Sequence, residues 1–274
     1  MKKKNFAIIG KPIAHSLSPI LHNYWYEKYG INAKYSLLDV KESNLEEIIK
    51  KIKNKELDGI NVTLPYKQKI IKFIDRLVND GEHTNSVNTI FLDDTNNIIG
   101  ENTDVFGLQA AYLKEIINVE NKRALIIGAG GVSPSVIFSL QKSKIKNISI
   151  INRTLKKSLF LKKKFSYLKI LEWQFLQDEI ANFDIIINAT SLGLKNNDDF
   201  DFNFQNFKEN LIYIDTVYNP LETKTLKFLK ENNIKTFNGL DMFIYQGQKS
   251  FYLWNKINPE IDDKLISLLK SKLS

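Results

Sequence analysis

The sequence predicts an α/β fold made of two α/β domains, and three observations lead to this prediction. Short apolar runs alternate with longer amphipathic segments, a pattern typical of βαβ units. The length of 274 residues exceeds what one hydrophobic core usually organises. A glycine-rich turn stands between an apolar run and an amphipathic segment in residues 124–140. Together they favour one Rossmann-like domain with a doubly wound parallel sheet and a second domain with a mixed α/β structure.

Apolar runs of strand length recur along the chain. The predicted strands are residues 6–10, 34–40, 59–64, 87–92, 124–128, 147–152, 184–189 and 211–215. Amphipathic segments separate them and predict helices. The predicted helices are residues 44–53, 67–78, 105–118, 131–143, 154–165, 222–232, 240–256 and 262–270.

Two changes of pattern mark domain boundaries. Near residues 100–105, the segment GENTDVFG leads into a helix, and near residues 238–240 the segment NGL precedes another. We therefore predict one domain over residues 105–238, which contains the glycine-rich turn. The flanking segments 1–104 and 239–274 then form the second domain.

Composition argues against several classes of protein. No apolar run is long enough to span a bilayer, and the apolar stretch after the basic start is too short for a signal peptide. A cytoplasmic protein without a membrane partner is expected. The chain has no cysteine and three histidines, so neither a disulfide nor a metal site is expected. Its net charge of +8 is spread over many segments, which favours solvated surfaces over a nucleic-acid site.

The glycine turn is suited to a pyrophosphate. Glycines at 128, 130 and 131 permit a tight turn and a close approach of the backbone to the anion, whose charge lies at a helix N-terminus. Ser133 occupies the third glycine position of the usual motif. The expected pyrophosphate-binding residues are Gly128, Ala129, Gly130, Gly131 and Val132.

The end of the next predicted strand indicates which dinucleotide binds. NAD-binding units place a carboxylate there to accept hydrogen bonds from the ribose. This chain instead has Asn152, Arg153 and Thr154, followed by Lys157. Arginine forms charge-assisted hydrogen bonds with a 2′-phosphate, which a carboxylate would repel. The sequence therefore predicts NADP(H), and it makes residues 105–238 the NADP-binding domain.

Several segments outside the glycine turn combine polar side chains with turn-forming residues. They are GKPIAHSLSP (10–19), NVTLPYK (61–67), SVNT (86–89), ENTD (101–104), NATSLG (188–193) and YQGQ (245–248). With GAGG (128–131) and NRT (152–154), they resemble in the same order the signature segments of the shikimate dehydrogenase family. The resemblance implies a reversible, NADPH-dependent reduction of 3-dehydroshikimate to shikimate, in chorismate and aromatic amino acid biosynthesis.

The resemblance also implies that segments 1–104 and 239–274 form the substrate-binding and catalytic domain, and it implies roles for individual residues. Lys67 and Asp104 are similar to the catalytic pair of the family, in which a cationic lysine can deliver a proton to the developing alkoxide. Without the resemblance, they would be interpreted as a surface lysine at a helix start and an N-cap. The residues implied to bind substrate are Ser16 and Ser18 at the carboxylate, and Thr63, Asn88, Tyr218 and Gln246 at the ring. Those implied on the nicotinamide side are Ala189, Thr190, Thr216, Gly239 and Met242.

Some alternatives remain open at the level of sequence. Ser16 or Ser18 could cap a helix that has Pro19 in its first turn. The enzyme could be a quinate/shikimate dehydrogenase with relaxed use of cofactor and substrate, or a nucleotide-binding homologue without catalysis. A monomer and a homodimer are both compatible with the sequence.

Overall fold

A computed structural model shows two compact units in the chain. The residues it describes are 2–116, 118–194, 200 and 206–273. Unit 1 comprises Met1–Gly107 and Ile244–Lys272, and unit 2 comprises Leu108–Phe243 and Leu273–Ser274. The divisions lie a few residues beyond the predicted domain boundaries, and they fall inside two helices rather than at their starts.

Strands and helices alternate in both units. The strands of the described residues are β1 (Lys4–Gly10), β2 (Ala33–Asp39), β3 (Gly59–Val62), β4 (Arg76–Leu77), β5 (Thr89–Leu92), β6 (Ile98–Glu101), β7 (Arg123–Ile127), β8 (Asn147–Ile151), β9 (Lys169–Leu171), β10 (Ile185–Asn188), β11 (Ile212–Asp215) and β12 (Lys235–Phe237). The α-helices of the same residues are α1 (Ser18–Lys28), α2 (Leu45–Lys53), α3 (Asp80–Thr84), α4 (Thr103–Ala111), α5 (Ser133–Lys142), α6 (Leu155–Lys164), α7 (Leu176–Glu179), α8 (Lys224–Glu231), α9 (Leu240–Asn255) and α10 (Asp263–Lys270).

Unit 1 contains a mixed sheet in the order β2-β1-β3-β5-β6-β4. Strand β1 is parallel to β2 and β3, whereas β5 is antiparallel to both of its neighbours, β3 and β6. The start of β5 therefore lies beside the carboxyl ends of β3 and β6. This reversal brings residues from three distant segments to one end of the sheet.

Helix α2 shows how the sequence produces the packing of unit 1. Its apolar residues recur at helical spacing and are buried against the sheet. They are Leu45, Ile48, Ile49 and Ile52. On the exposed face, Glu46 pairs with Lys50 one turn later, and each such pair adds about 0.2–0.5 kcal/mol of helix stability. Acidic residues in the first turn and lysines in the last also complement the helix dipole.

An aromatic cluster packs around His22 of α1. The imidazole stacks on the ring of Tyr35 with centroids 4.4 Å apart, and Trp25, Phe251 and Trp254 also contact it. His22 is fully buried, and neither ring nitrogen has a hydrogen-bond partner among the described residues. Burial lowers the pKa of His22 from 6.5 to about 3, because the charged form cannot be solvated there.

The buried histidine predicts a pH dependence of stability. Between pH 6.5 and about pH 3 the unfolded chain binds a proton at His22 that the folded chain does not, so stability falls as pH falls through this window. The limiting slope is about 1.36 kcal/mol per pH unit for one proton. We expect His22→Leu to lose this one-proton slope in urea unfolding followed over pH. The exposed His15→Leu variant should keep the wild-type slope, and an unchanged slope in His22→Leu would contradict the prediction.

Unit 2 contains a parallel sheet in the order β12-β11-β10-β7-β8-β9. Counted from the first strand of the unit, this order is 6-5-4-1-2-3, the doubly wound order of dinucleotide-binding folds. The central strands are runs of isoleucine and leucine buried along nearly their whole length, as expected for a sheet covered on both faces. The order reverses between β7 and β10, so ligands are expected at the carboxyl ends of these two strands. The predicted fold class is thus confirmed.

Two predicted helices differ from the structure. The segment 67–78 contains a short 3-10 helix, Lys69–Phe73, followed by β4. The Asp75 carboxylate accepts the N–H of Ile98 at 2.7 Å, which ties this segment to the sheet instead of continuing a helix. Helix α4 ends at Ala111, since Tyr112 leaves the helical conformation and is fully buried. The strands β4, β9 and β12 were not predicted because two or three residues carry little periodicity, and the four-residue β6 was also missed.

Candidate active site

The predicted catalytic residues meet at one end of the unit 1 sheet. Thr63 and Lys67 follow β3, Asn88 immediately precedes β5, and Asp104 lies in the first turn of α4 after β6. Because β5 runs against its two neighbours, its first residues lie beside the last residues of β3 and β6. The sheet therefore gathers polar side chains that are far apart in the sequence.

Lys67 and Asp104 form a buried ion pair. The Lys67 Nζ lies 2.5 Å from Asp104 Oδ2, and the two side chains are 11% and 7% exposed. The other carboxylate oxygen, Oδ1, accepts a hydrogen bond of 2.8 Å from Asn88 Nδ2. A buried carboxylate is costly unless it is paired, and here both oxygens have donors. The Lys67 ammonium has three hydrogens, and the Asp104 carboxylate accepts one of them.

The amide of Asn88 has a defined orientation. Its Oδ1 accepts the backbone N–H of Thr103 at 2.8 Å, which directs the NH₂ group toward Asp104. The same NH₂ group lies 2.9 Å from Thr103 Oγ1 and 3.4 Å from Gln246 Oε1. The Gln246 side chain of α9, which the resemblance places at the substrate ring, is therefore next to the Asn88 amide.

The serines of the 10–19 segment stand at the start of α1. Ser16 Oγ donates to Ser18 Oγ at 3.1 Å and accepts the backbone N–H of Ser18 at 3.3 Å. Ser18 is the first residue of the helix and is buried, with Pro19 beside it in the first turn. The N-cap of α1 is Leu17 and no side chain caps the helix, so the capping role weighed from sequence for Ser16 or Ser18 is not found. The structure instead places two hydroxyl groups together at a helix N-terminus.

Tyr218 belongs to unit 2, unlike the other five residues expected to bind substrate. Its half-buried ring stacks on Phe243 with centroids 4.8 Å apart. Phe243 lies in the first part of α9, within the same unit. The sequence pattern did not single out Phe243, because an apolar residue in a helix is most often interpreted as core.

The glycine turn after β7 adopts a conformation that only glycine tolerates well. Gly128 has φ +110°, and its N–H donates to Ile151 O at 2.8 Å. A Cβ atom there would lie 2.6 Å from Thr190 Cγ2 and 2.9 Å from Ala189 O. Ser133, in the third glycine position, is fully buried and donates its hydroxyl to Gly128 O at 3.0 Å. Serine therefore closes the turn, a role the glycine motif alone did not reveal.

The strand end with Asn152, Arg153 and Thr154 lies beside this turn. Asn152 Oδ1 accepts the N–H of Ala129 at 3.0 Å, and its Nδ2 donates to Thr154 O at 2.9 Å. Arg153 and Lys157 are exposed, and the Arg153 guanidinium has no carboxylate partner within the described residues. Asn152 therefore joins the strand end to the glycine turn. The exposed cationic side chains of Arg153 and Lys157 beside it are available to bind an anion.

The carboxyl ends of β10 and β11 are held by two buried polar residues that the sequence analysis did not identify, Asn188 and Asp215. Asn188 Oδ1 accepts both the N–H and the Oγ1 hydroxyl of Thr190, and Asn188 Nδ2 donates to Asp215 Oδ1 at 3.0 Å. Thr216 Oγ1 donates to Asn188 O at 2.8 Å. The signal was present as a polar residue closing each apolar run, IIIN and IYID.

The start of α9 contacts the same end of the unit 2 sheet. Gly239 N–H donates to Val217 O at 2.9 Å, and a Cβ on Gly239 would lie only 2.4 Å from Thr216 O. Met242 N–H donates to the buried hydroxyl of Tyr112 at 3.2 Å. The residues predicted for the nicotinamide side are thus brought to one place in this unit, next to the glycine turn.

Two structural features of other protein classes are missing from the described part of the chain. No group of three or more histidine and acidic side chains there could hold a metal ion. None of its helices combines the length and apolar character needed to cross a bilayer.

Comparison with known proteins identifies the family. The model described as shikimate dehydrogenase substrate binding domain matches residues 8–90, and that of shikimate / quinate 5-dehydrogenase matches residues 111–215. The shikimate dehydrogenase (NADP(+)) of Pelagibacter ubique (strain HTCC1062) is 47% identical over 267 residues, covering 97% of this chain and 99% of the relative.

Solved structures agree with this relationship. The shikimate dehydrogenase of Aquifex aeolicus superposes with a TM-score of 0.88 at 32% identity, over 97% of both chains. The shikimate 5-dehydrogenase of Thermus thermophilus, solved with NADP(H) and shikimate, has a TM-score of 0.88 at 28% identity, over 98% of this chain and 100% of that one. Since the similarity extends over nearly the full length of these proteins and includes both units, the chain belongs to the shikimate dehydrogenase family.

Proposed function

We propose that this protein catalyses the reversible, NADP(H)-dependent interconversion of 3-dehydroshikimate and shikimate. Its relatives carry this activity in their names, and one was solved with both NADP(H) and shikimate. The observation that carries the proposal is the buried Lys67–Asp104 ion pair with the Asn88 amide on its second oxygen. A non-catalytic homologue would have no need to keep two charges in a site this poorly exposed.

Lys67 is the proposed proton donor in the direction of ketone reduction. As hydride reaches the carbonyl carbon, negative charge develops on the oxygen, and an ammonium beside it can stabilise that charge and then donate a proton. Asp104 holds the Nζ at 2.5 Å and keeps it in one position. In the oxidative direction the same nitrogen, once neutral, accepts the proton from the hydroxyl.

The remaining polar residues are proposed to hold the substrate. The two hydroxyls of Ser16 and Ser18 at the start of α1 can each donate one hydrogen to the substrate carboxylate. The ring hydroxyls meet uncharged donors and acceptors, which suit a polyhydroxylated ring. These are Thr63, Asn88, Tyr218 and Gln246.

Unit 2 provides the proposed cofactor site, and its residues fit NADP(H). The missing Cβ of Gly128 leaves a turn whose backbone a pyrophosphate can approach, at the N-terminus of α5. When bound, NADP(H) supplies or accepts the hydride. The residues proposed for the pyrophosphate and 2′-phosphate ends are Gly128, Ala129, Gly130, Gly131, Val132, Asn152, Arg153, Thr154 and Lys157. Those proposed for the nicotinamide side are Ala189, Thr190, Thr216, Gly239 and Met242.

A spectrophotometric assay of NADPH tests the proposal. Purified protein with shikimate and NADP⁺ should produce NADPH, and with 3-dehydroshikimate it should consume it. The same assay with quinate, and with NAD⁺, distinguishes the quinate/shikimate alternative. Turnover with shikimate and NADP⁺ far above the other combinations is expected. Binding of NADP⁺ in calorimetry without any turnover would instead indicate a non-catalytic homologue.

Arg153→Ala is expected to weaken NADP⁺ binding specifically. A charge-assisted hydrogen bond contributes ~1.5–3 kcal/mol, which corresponds to a roughly 10- to 100-fold rise in KM for NADP⁺. The exposure of Arg153 places the effect toward the lower end and makes it fall with added salt. The KM for NAD⁺ should not change, because NAD⁺ has no 2′-phosphate. The exposed Lys163→Ala on α6 is the matched control, and equal changes with both cofactors would contradict the role of Arg153.

A further inference from the structure

A buried tyrosine begins a series of hydrogen bonds that leads to Asp104. Tyr35 of β2 is 1% exposed, and its hydroxyl donates to Asn61 Oδ1 at 2.7 Å. The tyrosine therefore contacts an amide that leads toward Asp104.

From Asn61 the hydrogen bonds continue to the ion pair. Asn61 Nδ2 lies 2.9 Å from Asn88 O and 3.1 Å from Thr89 Oγ1. Thr89 Oγ1 donates to Asn88 Oδ1 at 3.1 Å, and Asn88 Nδ2 donates to Asp104 Oδ1 at 2.8 Å. Tyr35, Asn61, Thr89, Asn88 and Asp104 are all buried, so these contacts are shielded from solvent.

These contacts form one series of hydrogen bonds, Tyr35 to Asn61 to Thr89 to Asn88 to Asp104. In each contact the donor is the residue farther along the series from Asp104. The backbone carbonyl of Asn88 can only accept, so the NH₂ group of Asn61 must face it, which leaves Asn61 Oδ1 for a donor. Among the described residues Tyr35 is the donor that Asn61 Oδ1 has. Thr89 Oγ1 also lies 2.8 Å from Ser250 Oγ, a contact in which either hydroxyl can donate. With Asn61 and Ser250 as its donors, Thr89 directs its one hydrogen to Asn88. Hydrogen bonds aligned in this way polarise and strengthen one another.

The Tyr35 hydroxyl remains a donor at every pH at which the enzyme could work. Burial raises the pKa of Tyr35 well above its ordinary value of 10, since the phenolate would have no solvation there. In Tyr35→Phe, Asn61 Oδ1 would lose its donor in a buried position, a costly state that favours reorientation of the amide. Reorientation of Asn61 would then release Thr89 and loosen the Asn88 amide.

We propose that Tyr35 is a positioning residue, which acts through Asn61 and Thr89 to hold the Asn88 amide against Asp104. This inference rests on the proposed function of the Lys67–Asp104 pair. It predicts a specific kinetic signature. Without the phenol, the Asn88–Asp104 contact loosens and kcat falls, whereas Ser16 and Ser18 lie outside this series and stay available to the substrate carboxylate.

The test compares Tyr35→Phe with Tyr26→Phe. Tyr26 lies on α1 in the same unit and is 2% exposed, and no hydrogen bond joins its hydroxyl to a residue of this series, so each variant loses one buried hydroxyl. Thermal unfolding measures the structural cost of each change. The spectrophotometric NADPH assay gives kcat, and calorimetry gives the shikimate Kd.

Tyr35→Phe is expected to lower kcat by about tenfold or more, within the ~10²-fold that a 1 Å misplacement can cost. Its shikimate Kd should weaken by far less than kcat falls, because the other residues proposed to bind substrate lie outside this series. Tyr26→Phe should leave kcat and Kd unchanged. Equal losses of kcat in the two variants, or a Kd in Tyr35→Phe that weakens as much as kcat falls, would overturn the inference.

A second pair of variants tests the contact between Thr89 and Asn88. This test does not depend on whether Tyr35→Phe folds. Thr89→Val removes the hydroxyl with little change of shape and should reproduce the lowered kcat with a nearly unchanged shikimate Kd. Thr89→Ser restores the hydroxyl and should restore kcat. Failure of Thr89→Ser to differ from Thr89→Val would overturn the inference even if the wild type is active. An inactive wild-type protein would contradict the proposed function itself.

Discussion

Lys67→Ala is expected to lower turnover by about 10²–10⁴-fold, the range for loss of a general acid–base group. Shikimate should still bind, because its carboxylate and most of its hydroxyls have other proposed partners. Turnover falls because the developing alkoxide would have neither a proton donor nor a nearby cation. Stopped-flow or steady-state assays with saturating NADPH measure the change, and calorimetry measures the shikimate Kd.

Lys69→Ala is the matched control for Lys67→Ala. Lys69 is two residues away and forms an exposed ion pair with Glu42, so its removal deletes a lysine outside the proposed site. Its turnover should equal that of the wild type. Near-normal turnover in Lys67→Ala would show that this lysine does not transfer the proton.

Lys67→Ala will also lose stability, and this loss has to be distinguished from the loss of turnover. Removing one member of a buried ion pair costs roughly 3–5 kcal/mol, and the 11% exposure of Lys67 should reduce that cost. The double variant Lys67→Met, Asp104→Asn removes both charges. We expect it to recover thermal stability relative to Lys67→Ala but not turnover.

Gly128→Ala is expected to destabilise unit 2 severely. A Cβ atom at this position would lie 2.6 Å from Thr190 Cγ2 and 2.9 Å from the carbonyl oxygen of Ala189, and φ is +110°. The backbone conformation alone costs on the order of 1–3 kcal/mol for an L-residue, and the contact with a backbone oxygen adds to this. Urea unfolding should show a loss of at least this size, together with lost NADP⁺ binding.

Gly130→Ala separates folding from cofactor binding at the same turn. A Cβ atom on residue 130 would lie 3.7 Å from Ala189 O, which is an ordinary contact. The φ of Gly130 is not in the left-handed region. The variant should therefore unfold like the wild type. NADP⁺ affinity should nevertheless fall, because the added methyl group stands where the backbone is proposed to approach the pyrophosphate. Equal stability of Gly128→Ala and Gly130→Ala would contradict the strain argument.

Local pattern was sufficient to predict much of unit 2. A strand buried on both faces is a continuous apolar run, and the glycine turn and the helix after it carry their own sequence signals. The preference for NADP(H) also followed from a local feature, the Asn152-Arg153-Thr154 strand end. By contrast, the segment 67–78 has helical spacing but contains a 3-10 helix and a strand, because Asp75 binds the backbone of β6.

The polar contacts of unit 1 could not be read from pattern. Asn88 meets Gln246, which is 158 residues away, and Asn61 meets Ser250 across 189 residues. Periodicity describes which face of an element is apolar, but a hydrogen bond between elements depends on strand order and direction. The antiparallel β5 decides which ends of strands lie together, and nothing in the local sequence of β5 records the direction of its neighbours.

The sequence by itself determined the class of fold, the family, the cofactor and the identity of the residues proposed for chemistry, because each of these is encoded by residue type at short spacing. Only the tertiary structure decided which donor faces which acceptor. It paired Lys67 with Asp104, oriented Asn88 through Thr103, and placed Tyr35 behind them. The physical reason is that hydrogen bonds require a distance near 3 Å and a direction, and in this chain both are set by sheet topology.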